Sequence, residues 1–115
     1  MKNSIKNGCI YVVATPIGNL GDISNRSLEI LEKVDYVAAE DTRNTRNFLS
    51  HFQINTKLIS LHEHNEINQS KKIIKDVLIG LSIAVVSDAG TPAINDPGYR
   101  LISLAHQNEI KVIPL

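Results

Sequence analysis

Cysteine is almost absent: Cys9 stands alone in a chain of 115 residues. That excludes an internal disulfide framework, makes a reducing cytoplasm the expected setting, and leaves Cys9 as a small hydrophobe for the core. Net charge is missing as well, because twelve Lys and Arg offset twelve Asp and Glu. With no global field to draw the chain toward nucleic acid, membrane or acidic ligand, any polyanion must be met by local charges or by residues outside this sequence. No window approaches 18 apolar residues, and the basic start MKNSIKNGC lacks a continuous apolar stretch, so neither a membrane span nor a signal peptide is expected. What is present is 43% apolar residues, enough for one compact domain that buries roughly two-thirds of its unfolded surface.

Five short apolar runs recur: IYVVA (10–14), DYVAA (35–39), KLISL (57–61), SIAVVS (82–87) and IKVIPL (110–115). They are rich in Val and Ile and mostly continuous, the pattern of strands covered on both faces, which predicts a parallel sheet. Apolar residues at helical spacing lie between them: Leu28, Leu31 and Val34; Phe48, Leu49 and Phe52; Ile67, Ile74, Val77, Leu78 and Leu81; Leu101, Leu104 and Ala105. The second of these helices is expected over Thr42–His51. Gly80 falls where a C-terminal cap belongs, and Asp96-Pro97 offers an N-cap followed by proline at the first helical position. Strand and helix alternate throughout, so the expected fold is α/β: an open, mainly parallel five-stranded sheet with helices on both faces.

Chemistry concentrates in the loops that leave the strands, the edge at which open α/β sheets bind ligands. After the first strand, Pro16-x-Gly18-x-x-Gly21 departs from a dinucleotide fingerprint, since proline fixes φ and cannot replace the first glycine. Glu40, 22 residues beyond Gly18, still mimics the ribose-binding carboxylate of NAD enzymes, so a nucleotide loop and a plain turn both stand. After the second strand, Glu40 and Asp41 meet Arg43 and Arg46, a set suited to hydroxyl binding, proton acceptance, phosphate clamping or ordinary capping. In LHEHNE, His62 and His64 lack a third close ligand for zinc, and polar turn chemistry with Asn65 as N-cap is the expectation. VVSDAGTPAINDPG (85–98) combines small residues, a carboxylate and turn chemistry at a strand's end, the makings of a ligand loop or of an elaborate cap.

Taken together, VATPIGNLGDIS, AAEDTRNT, HEHNE and SDAGTPAINDPG, in this order and spacing, resemble the amino-terminal domain of the ribosomal RNA small-subunit methyltransferase I family, within the tetrapyrrole methylase fold class. The resemblance covers Ile10 to Leu115. It implies a homodimeric, cytoplasmic, two-domain enzyme that uses S-adenosyl-L-methionine to methylate the ribose 2′-hydroxyl of a cytidine in 16S rRNA, with no metal and no membrane. Residues 1–115 would then be the amino-terminal domain, and the second domain would lie beyond Leu115.

Carried over by position, the resemblance assigns Thr15, Pro16 and Gly18, with Gly21 and Asp22, to the loop below the cleft. It assigns Asp88, Ala89, Gly90, Thr91 and Ile94 to the segment that cradles the cofactor. Glu40, Asp41 and Arg43 would flank the same cleft toward RNA, the carboxylates as proton acceptors and the arginine as a backbone clamp. The chain departs from the pattern in its length, under half the family's, and in lacking a basic face; Lys71, Lys72 and Lys75 read as a solvated helix face. A methylase of small tetrapyrroles and a non-catalytic nucleotide-binding or dimerisation module are the other readings.

Overall fold

A computed structural model describes residues 8–14, 20–87 and 97–115. Five strands, β1 (Cys9–Ala14), β2 (Tyr36–Ala39), β3 (Leu58–Ser60), β4 (Ile83–Ser87) and β5 (Lys111–Pro114), form one sheet in the order β3-β2-β4-β1-β5. Every pairing is parallel. Four helices connect them: α1 (Asn25–Lys33), α2 (Thr42–His51), α3 (Glu66–Leu78) and α4 (Pro97–Gln107). The expected fold class is therefore found, with each strand boundary within a residue or two of its apolar run.

Alternation along the strands divides the core in two. Cys9, Tyr11 and Val13 point with Val37 and Ala84 toward Ile30 and Leu31 of α1 and Phe48 and Leu49 of α2. Ile10, Ala38, Ile83 and Val85 point the other way, toward Ile73, Ile74 and Val77 of α3 and Leu101 and Ala105 of α4. Ile10, Ile30, Ile73, Ile83 and Leu101 are fully enclosed, each such side chain contributing about 1.5–3 kcal/mol relative to exposure. Cys9 is buried among them as expected.

The helix ends follow local chemistry. Ser24 caps α1 by accepting a hydrogen bond from Ser27 N–H at 3.1 Å. α3 stops at Gly80, whose φ of +108° suits glycine; Gly80 N–H donates to Val77 C=O and Leu81 N–H to Asp76 C=O, the paired bonds of a Schellman termination. The Asp96 cap expected for α4 lies outside the described residues, while Pro97 is its first residue. Asn65 occupies the N-cap position of α3 without capping it. Its carboxamide instead accepts from His62 N–H (2.9 Å) and donates to Ser60 Oγ (3.0 Å), which fastens the loop after β3 to that strand.

Candidate functional site

Strand order creates the site. The connections through α1 and α2 step across the sheet in one direction on one face, and those through α3 and α4 step back on the other. β4 thus leaves the sheet toward the α3–α4 face, while both its neighbours, β1 and β2, leave toward the α1–α2 face. Such a reversal of direction marks the place, beyond the carboxyl ends of the strands, where open α/β sheets take their ligands.

The rim of the sheet there is made of small residues. Ala14 pairs in register with Ser87, and Ala39 with Val86 just below it. The carboxyl ends of β1 and β4 therefore lie side by side, with Glu40 on the other flank of β4. Ser60, in register with Ala39, continues the rim to β3, and Leu115 N–H, donating to Val12 C=O at 2.9 Å, ends β5 near the same level. Alanine and serine at three adjacent strand ends leave room for a guest to approach the backbone.

Gly21 and Asp22 of the first loop are described as part of a short 3-10 turn over Leu20–Asp22, and three further residues expected to act are described as well. Glu40 is exposed, and its carboxylate has no hydrogen bond or ion pair among the described residues. Asp41 is the N-cap of α2: Oδ1 accepts from Asn44 N–H (3.1 Å) and Oδ2 from Asn44 Nδ2 (2.8 Å). Arg43 is exposed on the first turn of α2. The structure thus brings Glu40, Asp41 and Arg43 to one edge and separates their duties, one carboxylate free and the other committed to the helix. Thr15, Pro16, Gly18, Asp88, Ala89, Gly90, Thr91 and Ile94 lie outside the described residues.

His62 and His64 stack edge-on with ring centroids 5.8 Å apart, and His62 Nδ1 accepts from His64 N–H at 3.2 Å. No group of three or more His, Cys, Asp or Glu suited to a metal occurs among the described residues. Nor is any described helix long and apolar enough to cross a membrane. The sequence reading had no means of finding a second polar cluster, at the opposite end of the strands. There Tyr36 O–H donates to Asp76 Oδ2 (2.6 Å), Lys72 Nζ donates to the same oxygen (3.0 Å), and Asp35 Oδ2 accepts from Ser82 N–H (2.8 Å). Burial, followed by the hydrogen bond to Asp76 and the charges of Asp76 and Asp35, pushes the Tyr36 hydroxyl far above its ordinary range. The same hydrogen bond, outweighing desolvation and aided by Lys72, holds Asp76 below the usual carboxylate range.

Comparison with known proteins agrees with this geometry. Residues 9–114 match the family described as Tetrapyrrole (Corrin/Porphyrin) Methylases. The "Ribosomal RNA small subunit methyltransferase I" of Vibrio cholerae serotype O1 is 52% identical over 97% of this chain, which spans 40% of that protein. The protein of the same name from Escherichia coli O157:H7 is 52% identical over 94% of the chain, which covers 38% of it. A crystal structure of diphthine synthase superposes with a TM-score of 0.67 at 17% identity, over 92% of this chain and 43% of that one. A putative cobalamin synthesis related protein (CobF) from Corynebacterium diphtheriae gives 0.64 at 14% identity, over 92% and 52%; both likenesses concern the fold. The chain spans about two-fifths of the length of the curated relatives it matches.

Proposed function

The chain belongs to the tetrapyrrole (corrin/porphyrin) methylase family, and from that premise we propose that it is the amino-terminal α/β unit of an S-adenosyl-L-methionine-dependent methyltransferase whose acceptor is a cytidine ribose 2′-hydroxyl of 16S rRNA. The single observation that carries the reading is the rim at Ala14, Ala39 and Ser87, where connections diverge to opposite faces beside an unengaged Glu40. The small residues fit the approach of a nucleoside-sized cofactor. Thr15, Pro16 and Gly18 on one loop, and Asp88 to Thr91 with Ile94 on the other, would hold it. When bound, that cofactor supplies an electrophilic methyl group, and the hard chemistry is its own.

The protein's share is orientation and proton acceptance. Alignment of the acceptor hydroxyl with the methyl group can supply on the order of 7–11 kcal/mol of the barrier in the best cases. A ribose hydroxyl is a weak acid, so a carboxylate that takes its proton late in the reaction adds about 10²-fold or more. Glu40 and Asp41 are the first candidates and Asp88 the next; Glu40's carboxylate has no partner among the described residues, whereas Asp41's oxygens already accept from Asn44. Arg43 is suited to gripping a phosphate beside the reacting ribose. Homodimerisation and a cytoplasmic location belong to the same proposal, as does the completion of the cleft by sequence that the longer relatives possess.

The test is methyl transfer by the full-length protein from radiolabelled S-adenosyl-L-methionine to small-subunit rRNA particles, to naked 16S rRNA and to a porphyrinogen. Label in a ribose of the RNA is the expected result. Label only in the porphyrinogen would favour a tetrapyrrole methylase, and no transfer to any acceptor would favour a non-catalytic module. A thermal-shift screen with S-adenosylhomocysteine and NAD separates cofactor classes, with protection by NAD alone counting against the proposal.

A further inference from the structure

The chain has four arginines, and they divide into two kinds. Arg26 lies 3.8 Å from Glu29, and Arg100 lies 3.7 Å from Glu66. Arg43 and Arg46, both on α2, have no carboxylate within 4.0 Å among the described residues, and α2 itself contains no acidic residue. Arg46 is half-buried and donates from Nη2 to Thr56 C=O at 3.2 Å, which fixes its guanidinium while using one of five N–H donors. Arg43 stands three and four residues before Arg46 and Asn47, and Ser50 stands four and three residues after them, so the four share one side of the helix; Asn47 and Ser50 are exposed, and neither side chain is engaged among the described residues. Asn and Ser are poorer helix formers than the Lys, Glu or Ala that an idle solvent face favours, so this choice is not explained by helix stability. An amide and a hydroxyl beside two unpaired guanidinium groups are a set that contacts phosphate and sugar oxygens.

We propose that this side of α2 is a track for the sugar–phosphate backbone of the RNA substrate, running about 10 Å from Arg43, near the rim beside Glu40, to Ser50, toward the amino edge of the sheet. It rests on the acceptor class proposed above and extends it from a single clamp at Arg43 to a surface. Charge complementarity favours RNA as the occupant: a chain with zero net charge offers here two cations with no ion-pair partner among the described residues. The lysines of α3 do not duplicate the arrangement, because Lys72 is held by Asp76 and the helix lies on the other face of the sheet.

The experiment is the affinity of the full-length protein for a 16S rRNA fragment between 50 and 200 mM salt. Arg43→Gln with Arg46→Gln should flatten the slope of log affinity against log salt by about 1 for each arginine. Because Arg46 also holds Thr56, a second variant leaves both arginines in place: Asn47→Glu with Ser50→Glu should weaken binding roughly tenfold at 50 mM salt and less at 200 mM, as screening predicts. Lys71→Gln with Lys75→Gln should leave the slope as in the wild type. Unchanged binding in Asn47→Glu/Ser50→Glu, or an equal loss in the lysine variant, overturns the track. If the wild type methylates RNA while the α2 variants match it, only the track fails. If the wild type neither binds nor methylates RNA, the acceptor assignment fails and the track with it.

Discussion

At the amino ends of β2 and β4, Asp35, Tyr36 and Ser82 are tied into hydrogen bonds that reach across 40 and 47 residues of sequence. At the carboxyl ends of the same two strands, Glu40 is free and Ser87 is a small residue without a side-chain partner among the described residues. The polar groups of the amino edge satisfy one another, and burial makes their loss expensive. Those of the carboxyl edge are left available, which is of no benefit to the folded state unless something binds. On the proposed function one edge carries stability and the other carries chemistry, and mutations at the two should move different measurements.

The largest expected effect is at the open edge. Glu40→Gln should lower turnover about 10²-fold or more with melting temperature and cofactor affinity nearly unchanged, read by tritium transfer beside isothermal titration. Unaltered turnover would remove Glu40 as the proton acceptor. Next in size is the closed edge: Asp76→Ala strands the Tyr36 hydroxyl and should lower stability by about 1–3 kcal/mol in chemical denaturation, with methyl transfer per folded molecule unaffected. Asp76→Asn sharpens the contrast through pH. A carboxylate held below its usual range in the folded state contributes stability at neutral pH that disappears as pH falls from about 4 toward and through its folded value. The asparagine variant should lose part of that acid dependence. For Tyr36 the sign is reversed: its hydroxyl, held protonated when folded, makes the protein lose stability as pH rises above about 10.

Smaller effects test where the border between the edges runs. Asp41→Ala removes the α2 cap and should lower stability by about 1 kcal/mol, whereas Asp41→Asn, itself a good cap, should stay near wild type in both stability and turnover. A large turnover loss in Asp41→Asn would give the proton-accepting role to Asp41 instead. Gly80→Ala, with φ at +108° and no atom crowding the added Cβ, should lower stability by about 1 kcal/mol through backbone strain alone.

Much of the fold was legible because each element announces itself locally. Val- and Ile-rich runs mark the strands, three- and four-residue spacing marks α2 over Thr42–His51, and Gly80 marks the end of α3. Strand order was not legible, since no local signal says that β4 inserts between β1 and β2. The Tyr36–Asp76 bond was hidden for the same reason: partners 40 residues apart become neighbours only through the crossover. Asn65 shows a subtler limit, its type and position agreeing with a cap while its carboxamide found better partners in Ser60 and His62. At the site, the residue types at the rim were readable. The division of labour between Glu40 and Asp41 was not, because it depends on which of the two adjacent carboxylates falls at the N-cap of α2.

The insertion of β4 also dictates when the sheet can assemble during synthesis. Among the described residues β1 pairs with β4 and β5, so it waits for residues 83–87 before either partner exists, while β2 and β3 can associate earlier. Until then the nascent chain carries an apolar hexapeptide, Cys9–Ala14, with neither of its strand partners beside it, and that interval is when chaperone protection matters most.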